Sequence, residues 1–184
     1  MKYTTLTASV MLAGTTQAWN PFTALNLGFC PWNIFNMPKA VGNFDPERYK
    51  GTWYEIYRDK DLWYEQPDVQ CVTATYSIDK NWWFYPIGVN NRSMSKSKGT
   101  LTDTIIDGTD IPYARASFDK DGYGKVKFWW YPDGNYWVLD TDYDNYALVY
   151  GCDNWLGVYS QEAWILSRTK TLTDLQVAQI KATL

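Results

Sequence analysis

The chain has 184 residues, enough for one domain with a sizeable core. Its net charge of −3 excludes a nucleic-acid surface built on concentrated Lys and Arg. It contains no His, which excludes Ser-His-Asp and Cys-His nucleophile pairs and imidazole ligation of zinc or haem iron.

Residues 1–18 read as a secretory signal peptide: Lys2 is the positive end, Leu6 to Gly14 a short apolar centre, and Thr16-Gln17-Ala18 the small-residue cleavage region. No apolar run is long enough to span a bilayer, so no transmembrane segment is expected. Residues 19–43, rich in Pro, Asn and aromatics without periodicity, read as an extended N-terminal arm carrying Cys30. Residues 44–184 then form a single domain.

That domain opens on a Pro-containing turn and Gly51, followed by a period-two run that predicts a strand from Thr52 to Asp59. Trp53, Glu55 and Tyr57 share one face of it. Asp61 to Pro67 is a loop with apolar Leu62, Trp63 and Tyr64. Val69 to Asp79 is the second strand, with Val72, Ala74 and Tyr76 on one face and Cys71 on the other. Trp82 to Arg92 is the third, with Pro86 marking an edge or a bulge. Asn91-Arg92-Ser93 is a glycosylation sequon. From Ser93 to Asp110 the pattern blurs, and Ile111 to Phe118 is the fourth strand.

Asp119 to Gly124 has turn chemistry, and its Asp-x-Asp-Gly lacks the further acids of a calcium loop, so no metal site is expected. In the strand from Lys125 to Tyr131, Val126, Phe128 and Trp130 point inward while Lys125 and Lys127 point outward. After the turn Pro132 to Asn135, strands are predicted over Tyr136 to Asp142, Tyr146 to Cys152 and Gln161 to Arg168. Thr173-x-x-Gln176 is a capping box, and Val177, Ile180 and Leu184 fall on one face of the helix it begins. The fold class is all-β: an eight-stranded antiparallel up-and-down barrel with a C-terminal α-helix packed on its outside.

Gly51-x-Trp53, then Thr141-Asp142-Tyr143 with the flanking Tyr146 to Cys152, then Ala163 to Arg168, resemble in order the three motifs of the lipocalin family, and in detail its apolipoprotein D-like branch. The resemblance extends from about Cys30 to the C-terminus. It implies that Gly51, Trp53, Thr141, Asp142, Tyr143 and Arg168 are structural, with the Arg lying across the Trp ring at the closed end. It implies a Cys30–Cys152 disulfide, a bridge worth about 4–5 kcal/mol in the chain-entropy model. It leaves Cys71 without its usual partner, as a free thiol, an intermolecular link or a buried inert group. It implies that the loop after the first strand folds over the barrel mouth, so Leu62, Trp63 and Tyr64 form a lid or cap the core. Relative to the family, Ser93 to Asp110 is an insertion near the open end.

The function this implies is a secreted protein that binds or transports a small hydrophobic ligand in the barrel cavity: a lipid, sterol, retinoid, carotenoid or bilin. No cofactor is required; the guest is a bound lipid or pigment. Strand parity lines the cavity with Ala74, Tyr76, Val126, Phe128, Trp130 and Trp164, of which Tyr76 and Trp164 match aromatic pocket positions of the branch. The alternative is that these rings fill the barrel completely. The protein would then be an assembly subunit that docks a protein partner through its arm, the Ser93–Asp110 insertion or Cys71. A lipid-modifying enzyme is the third reading, with Asp140 as the one acid placed near an interior strand; the chain is read as a non-enzyme.

Overall fold

The computed structural model describes residues 26–31, 36–58, 69–95, 99, 101–103, 114–128 and 133–183. The expected signal peptide over residues 1–18, the aromatic loop residues Leu62, Trp63 and Tyr64, Trp130 and Leu184 lie outside the described residues. In chain order the elements are β1 (Asn26–Leu27), α1 (Pro46–Tyr49), β2 (Gly51–Arg58), β3 (Val69–Ile78), β4 (Ile87–Ser95), β5 (Leu101–Asp103), β6 (Ala114–Phe118), β7 (Tyr123–Phe128), β8 (Gly134–Thr141), β9 (Tyr146–Trp155), β10 (Val158–Ser167) and α2 (Asp174–Lys181).

Eight strands close on themselves in the order β2-β3-β4-β6-β7-β8-β9-β10, with β10 pairing back onto β2 and every pairing antiparallel. Closure removes the sheet edges and encloses a lumen. Two features depart from the expected strands. β4 begins only at Ile87, because Pro86 has no N–H to donate and instead closes a turn through its carbonyl, which accepts from Asp79 N at 2.7 Å. Trp82 therefore lies outside any strand, its ring stacked on the Arg115 guanidinium at 4.1 Å. Within the expected insertion, β4 runs on to Ser95, and β5 pairs with it as a short hairpin.

The arm runs down the outside. β1 pairs with the start of β10, at the mouth. Cys30 is disulfide-bonded to Cys152 on the outer face of β9, with a Cα–Cα distance of 6.0 Å. Val41 N then donates to Val138 O at 2.9 Å and Phe44 N to Lys120 O at 2.8 Å, which carries the chain to the opposite end.

The outer face of β9, β10 and β2 carries α2. Ile180 and Val177 pack with Leu148, Ile165 and Tyr57, and the Lys181 ammonium lies 3.2 Å from the Tyr57 ring centroid. The capping box forms as spaced: Gln176 N donates to Thr173 Oγ1 at 3.3 Å and Thr173 N to Gln176 Oε1 at 2.9 Å. Among the described residues, no helix is long and apolar enough to cross a membrane.

Candidate functional site

One end of the barrel is sealed. Asp45 caps the single turn α1, accepting from Glu47 N at 2.9 Å and Arg48 N at 3.2 Å. The turn drives Tyr49 into the barrel, where its ring packs on Phe44, Trp53 and Tyr76 at 5.1 to 5.2 Å. Trp53, fully buried, donates Nε1–H to Tyr49 O at 2.8 Å. Arg168 covers its ring at 3.7 Å and spends its N–H groups on carbonyls: Tyr143 at 3.1 Å, Thr52 at 3.0 Å, Arg48 at 2.9 Å and Lys50 at 3.0 Å. Gly51 has φ +96°, and a Cβ there would stand 3.3 Å from the Arg168 guanidinium, so glycine is what lets the Arg lie across the Trp.

The turn from Thr141 to Tyr146 locks the same end. Thr141 Oγ1 accepts from Tyr143 N at 2.9 Å and donates to Tyr146 O at 2.6 Å. The Asp142 carboxylate accepts from the backbone of Asn145, Tyr146 and Asp144 and from the Asn145 side chain. Burial alone would raise its pKa; these hydrogen bonds outweigh burial and hold it below the usual carboxylate range. The Tyr143 hydroxyl accepts from Asp45 N at 3.0 Å, tying the turn to α1. Gly51, Trp53, Thr141, Asp142, Tyr143 and Arg168 thus meet in one hydrogen-bonded plug.

Toward the mouth the interior changes. Ala74, Phe128, Tyr136 and Trp164 point inward and pack against the core, yet each remains only partly buried. Each keeps part of its surface accessible, so this level of the interior is less tightly closed than the plug. Val126 and Tyr76, also inward, are buried below them. Trp164 stacks on Tyr136 with centroids 6.3 Å apart. Opposite Glu162 on the neighbouring strand is Gly151, where a Cβ would collide with Asn135 O at 2.6 Å and come within 3.6 Å of the Trp164 ring.

The lumen also holds polar groups that strand parity alone does not reveal. Three phenols form a chain: Tyr136 Oη is 3.1 Å from Tyr49 Oη and 2.7 Å from Tyr76 Oη. Burial pushes all three well above the ordinary phenol pKa. A bulge at Ile56 shifts the β2–β10 register, so Tyr57 opposes Ile165 on the outer face and Arg58 opposes Trp164 on the inner one. Arg58 and Glu55 then share the lumen as an ion pair at 3.5 Å, their side chains only 17% and 14% exposed. Glu162, on the parity of Trp164 and Leu166, points inward and is 5% exposed. Asp153, opposite Ser160, accepts from Asn135 N at 3.1 Å; burial raises its pKa against that hydrogen bond and the Lys125 charge.

Two sequence expectations are corrected here. Tyr57 leaves the face of Trp53 because of the bulge. Asp140 does not approach the interior: a register shift at Leu139 turns it to the outer face, opposite Leu148, where it accepts from Tyr146 Oη at 2.6 Å. Asn91 of the sequon is paired with Ala74 in the β3–β4 ladder. Cys71 is exposed and free, with φ +54° within the irregular stretch of β3 between Gln70 and Thr73. Glu162 was legible from its spacing to Trp164; the inward turn of Arg58 was not. Among the described residues no group of three or more His, Cys, Asp or Glu is placed to hold a metal ion.

Comparison with known proteins gives a coherent answer. The family model for the lipocalin / cytosolic fatty-acid binding protein family matches residues 50–183. Apolipoprotein D of Macaca fascicularis is 35% identical over 146 residues, 78% of this chain and 71% of its own length. Apolipoprotein D of Bos taurus is 34% identical over 160 residues, 86% of this chain and 76% of its own length. Among solved structures, insecticyanin from the tobacco hornworm Manduca sexta superposes with a TM-score of 0.64 at 25% identity, covering 86% of this chain and 79% of that one.

Proposed function

The chain belongs to the lipocalin / cytosolic fatty-acid binding protein family and is a binder of small hydrophobic molecules, and we propose that its ligand occupies the mouthward half of the lumen against Ala74, Phe128, Tyr136 and Trp164. The observation that carries this placement is that these four side chains face inward and yet keep accessible surface. Burying an apolar ligand there yields about 25 cal/mol per Å² before association costs. Tyr76 and Val126 form the floor beneath it, and the plug around Trp53 and Arg168 serves the fold and makes no ligand contact.

We read the protein as a carrier rather than a catalyst: the family it belongs to is that of lipocalins and fatty-acid binding proteins, and Cys71, the free thiol among the described residues, is exposed. The ligand is a lipid or pigment of the classes such barrels hold. The Cys30–Cys152 bridge suits an oxidising compartment, in keeping with a secreted protein led out by residues 1–18.

The test is a titration of the purified protein with retinol, followed by Trp fluorescence, beside mass spectrometry of an organic extract of the native protein. Saturable quenching that is lost in Trp164→Ala supports the site. Flat titrations together with an empty extract would remove it.

A further inference from the structure

The tip of the β9–β10 hairpin runs against backbone preference. β9 ends at Trp155 and β10 begins at Val158, its direct partner, so two residues make the turn. Both are left-handed: Leu156 has φ +47° and Gly157 φ +84°. A two-residue turn of this kind calls for Asn-Gly or Asp-Gly, whose first residue tolerates a positive φ. A leucine there is strained, and its side chain is exposed, so no packing within the molecule offsets the strain.

More apolar side chains stand beside it. Leu27 is paired with Val158, which is paired with Trp155, so these three share one face of a three-stranded ribbon. Leu27 and Leu156 are each 91% exposed, and Phe29 and Trp155 are exposed as well. The shared face is the inner one. Val158 has the parity of Ser160, Glu162 and Trp164, so the row continues the lumen wall past the rim. The frame beneath is fixed. Gly28 N donates to Gly157 O at 2.9 Å and Cys30 N to Asn154 Oδ1 at 2.7 Å, and the Cys30–Cys152 disulfide fastens the arm to β9.

Charge indicates what the tip meets. From Asn26 to Pro31 and from Asn154 to Tyr159 the chain has no Asp, Glu, Lys or Arg, in a protein of which 20% is charged. Insertion of the tip into an apolar layer therefore dehydrates no charge on these strands. The side chains project from a hairpin rather than line a groove. A protein partner would need pockets shaped to them, whereas a lipid layer takes up Trp, Phe and Leu without any. The lack of Lys and Arg means that the layer need not be anionic.

We propose that the mouth rim docks on a lipid surface of zwitterionic head groups by burying Leu27, Phe29, Trp155 and Leu156. Docking sets the inner face of β10 against the layer, on the side from which a hydrophobic guest enters. It does not depend on which guest the lumen takes.

Flotation of the purified protein, its disulfide intact, with phosphatidylcholine vesicles tests it. The protein is expected to float with the vesicles, with no gain from added phosphatidylserine and no loss in high salt. Leu156→Asn gives the turn its favoured Asn-Gly pair. It should weaken partitioning about tenfold while the melting temperature holds or rises. Leu27→Ser should weaken partitioning severalfold. Trp83→Ser, at another exposed aromatic on the β3–β4 connection, should leave it unchanged. Absence of flotation, binding that requires the anionic lipid, or an effect of Trp83→Ser equal to that of Leu156→Asn would overturn the proposal. So would a dimer in sedimentation that Leu156→Asn dissolves, since the tip would then meet a second copy. The retinol titration reads the lumen in solution, so failure of the docking leaves the ligand site standing.

Discussion

The two halves of this barrel use the same residue types to opposite ends. At the sealed end, aromatic rings touch one another, and the guanidinium of Arg168 is consumed by backbone carbonyls and the Trp53 face. Toward the mouth, Trp164 and Phe128 pack against the core yet keep part of their surface accessible, and the Arg58–Glu55 pair lies on the inner face. Aromatic content therefore says little about whether a barrel is filled. What decides it is whether a local turn, here α1, pushes a side chain such as Tyr49 into the lumen from below. The packing expected of a barrel filled by its rings is seen at the sealed end.

Substitutions separate the halves. Trp53→Ala should cost about 3–5 kcal/mol, read by chemical denaturation, because it empties the fully buried centre of the plug. A melting curve like that of the parent would mean the sealed end does not hold the fold together. Arg168→Lys should cost about 2–3 kcal/mol, since an ammonium cannot serve four carbonyls and a ring face at once. Trp164→Ala reverses the balance: about tenfold weaker retinol binding, with less than about 2 kcal/mol lost in stability. If its stability loss matched that of Trp53→Ala, the distinction between the halves would fail.

A pH titration probes the boundary between them and has the smallest effect near neutrality. Tyr49, Tyr76 and Tyr136 are held above the ordinary phenol value, whereas in the unfolded chain they ionise near pH ~10. The folded state therefore keeps more protons above that pH, so stability is intact below it and falls as pH rises beyond. Tyr146, pushed up to about 12 by burial and by Asp140, acts in the same sense outside the barrel. The last phenolate absorbance to appear should coincide with loss of near-UV circular dichroism. Smooth ionisation of every tyrosine in a protein that stays native would show that water enters the cluster.

The same contrast explains what could be read from the chain. Where pairing is regular, alternation sufficed: Val126 and Phe128 point inward from β7 and Lys125 and Lys127 outward, as their spacing implies. The plug was legible because its residues form ordered motifs, and the Cys30–Cys152 bridge because of the family resemblance those motifs carry. Alternation failed at two added residues. Ile56 brings Arg58 inward and sends Tyr57 out, and Leu139 sends Asp140 out; a period-two pattern contains no mark of either shift. The phenol cluster needed the third dimension, since Tyr49 comes from α1, Tyr76 from β3 and Tyr136 from β8.

The sulfur bridge fixes how the molecule carries tension. Its two cysteines are 122 positions apart, and it fastens the strap at β9, well before the strap reaches Phe44. A pull applied upstream of Cys30 is delivered to the barrel staves through the β1–β10 pairing and at Cys152, ahead of the seal beneath. Whatever tethers or cargo are joined at that end, the floor of the cup stays unstressed as long as the bridge is oxidised.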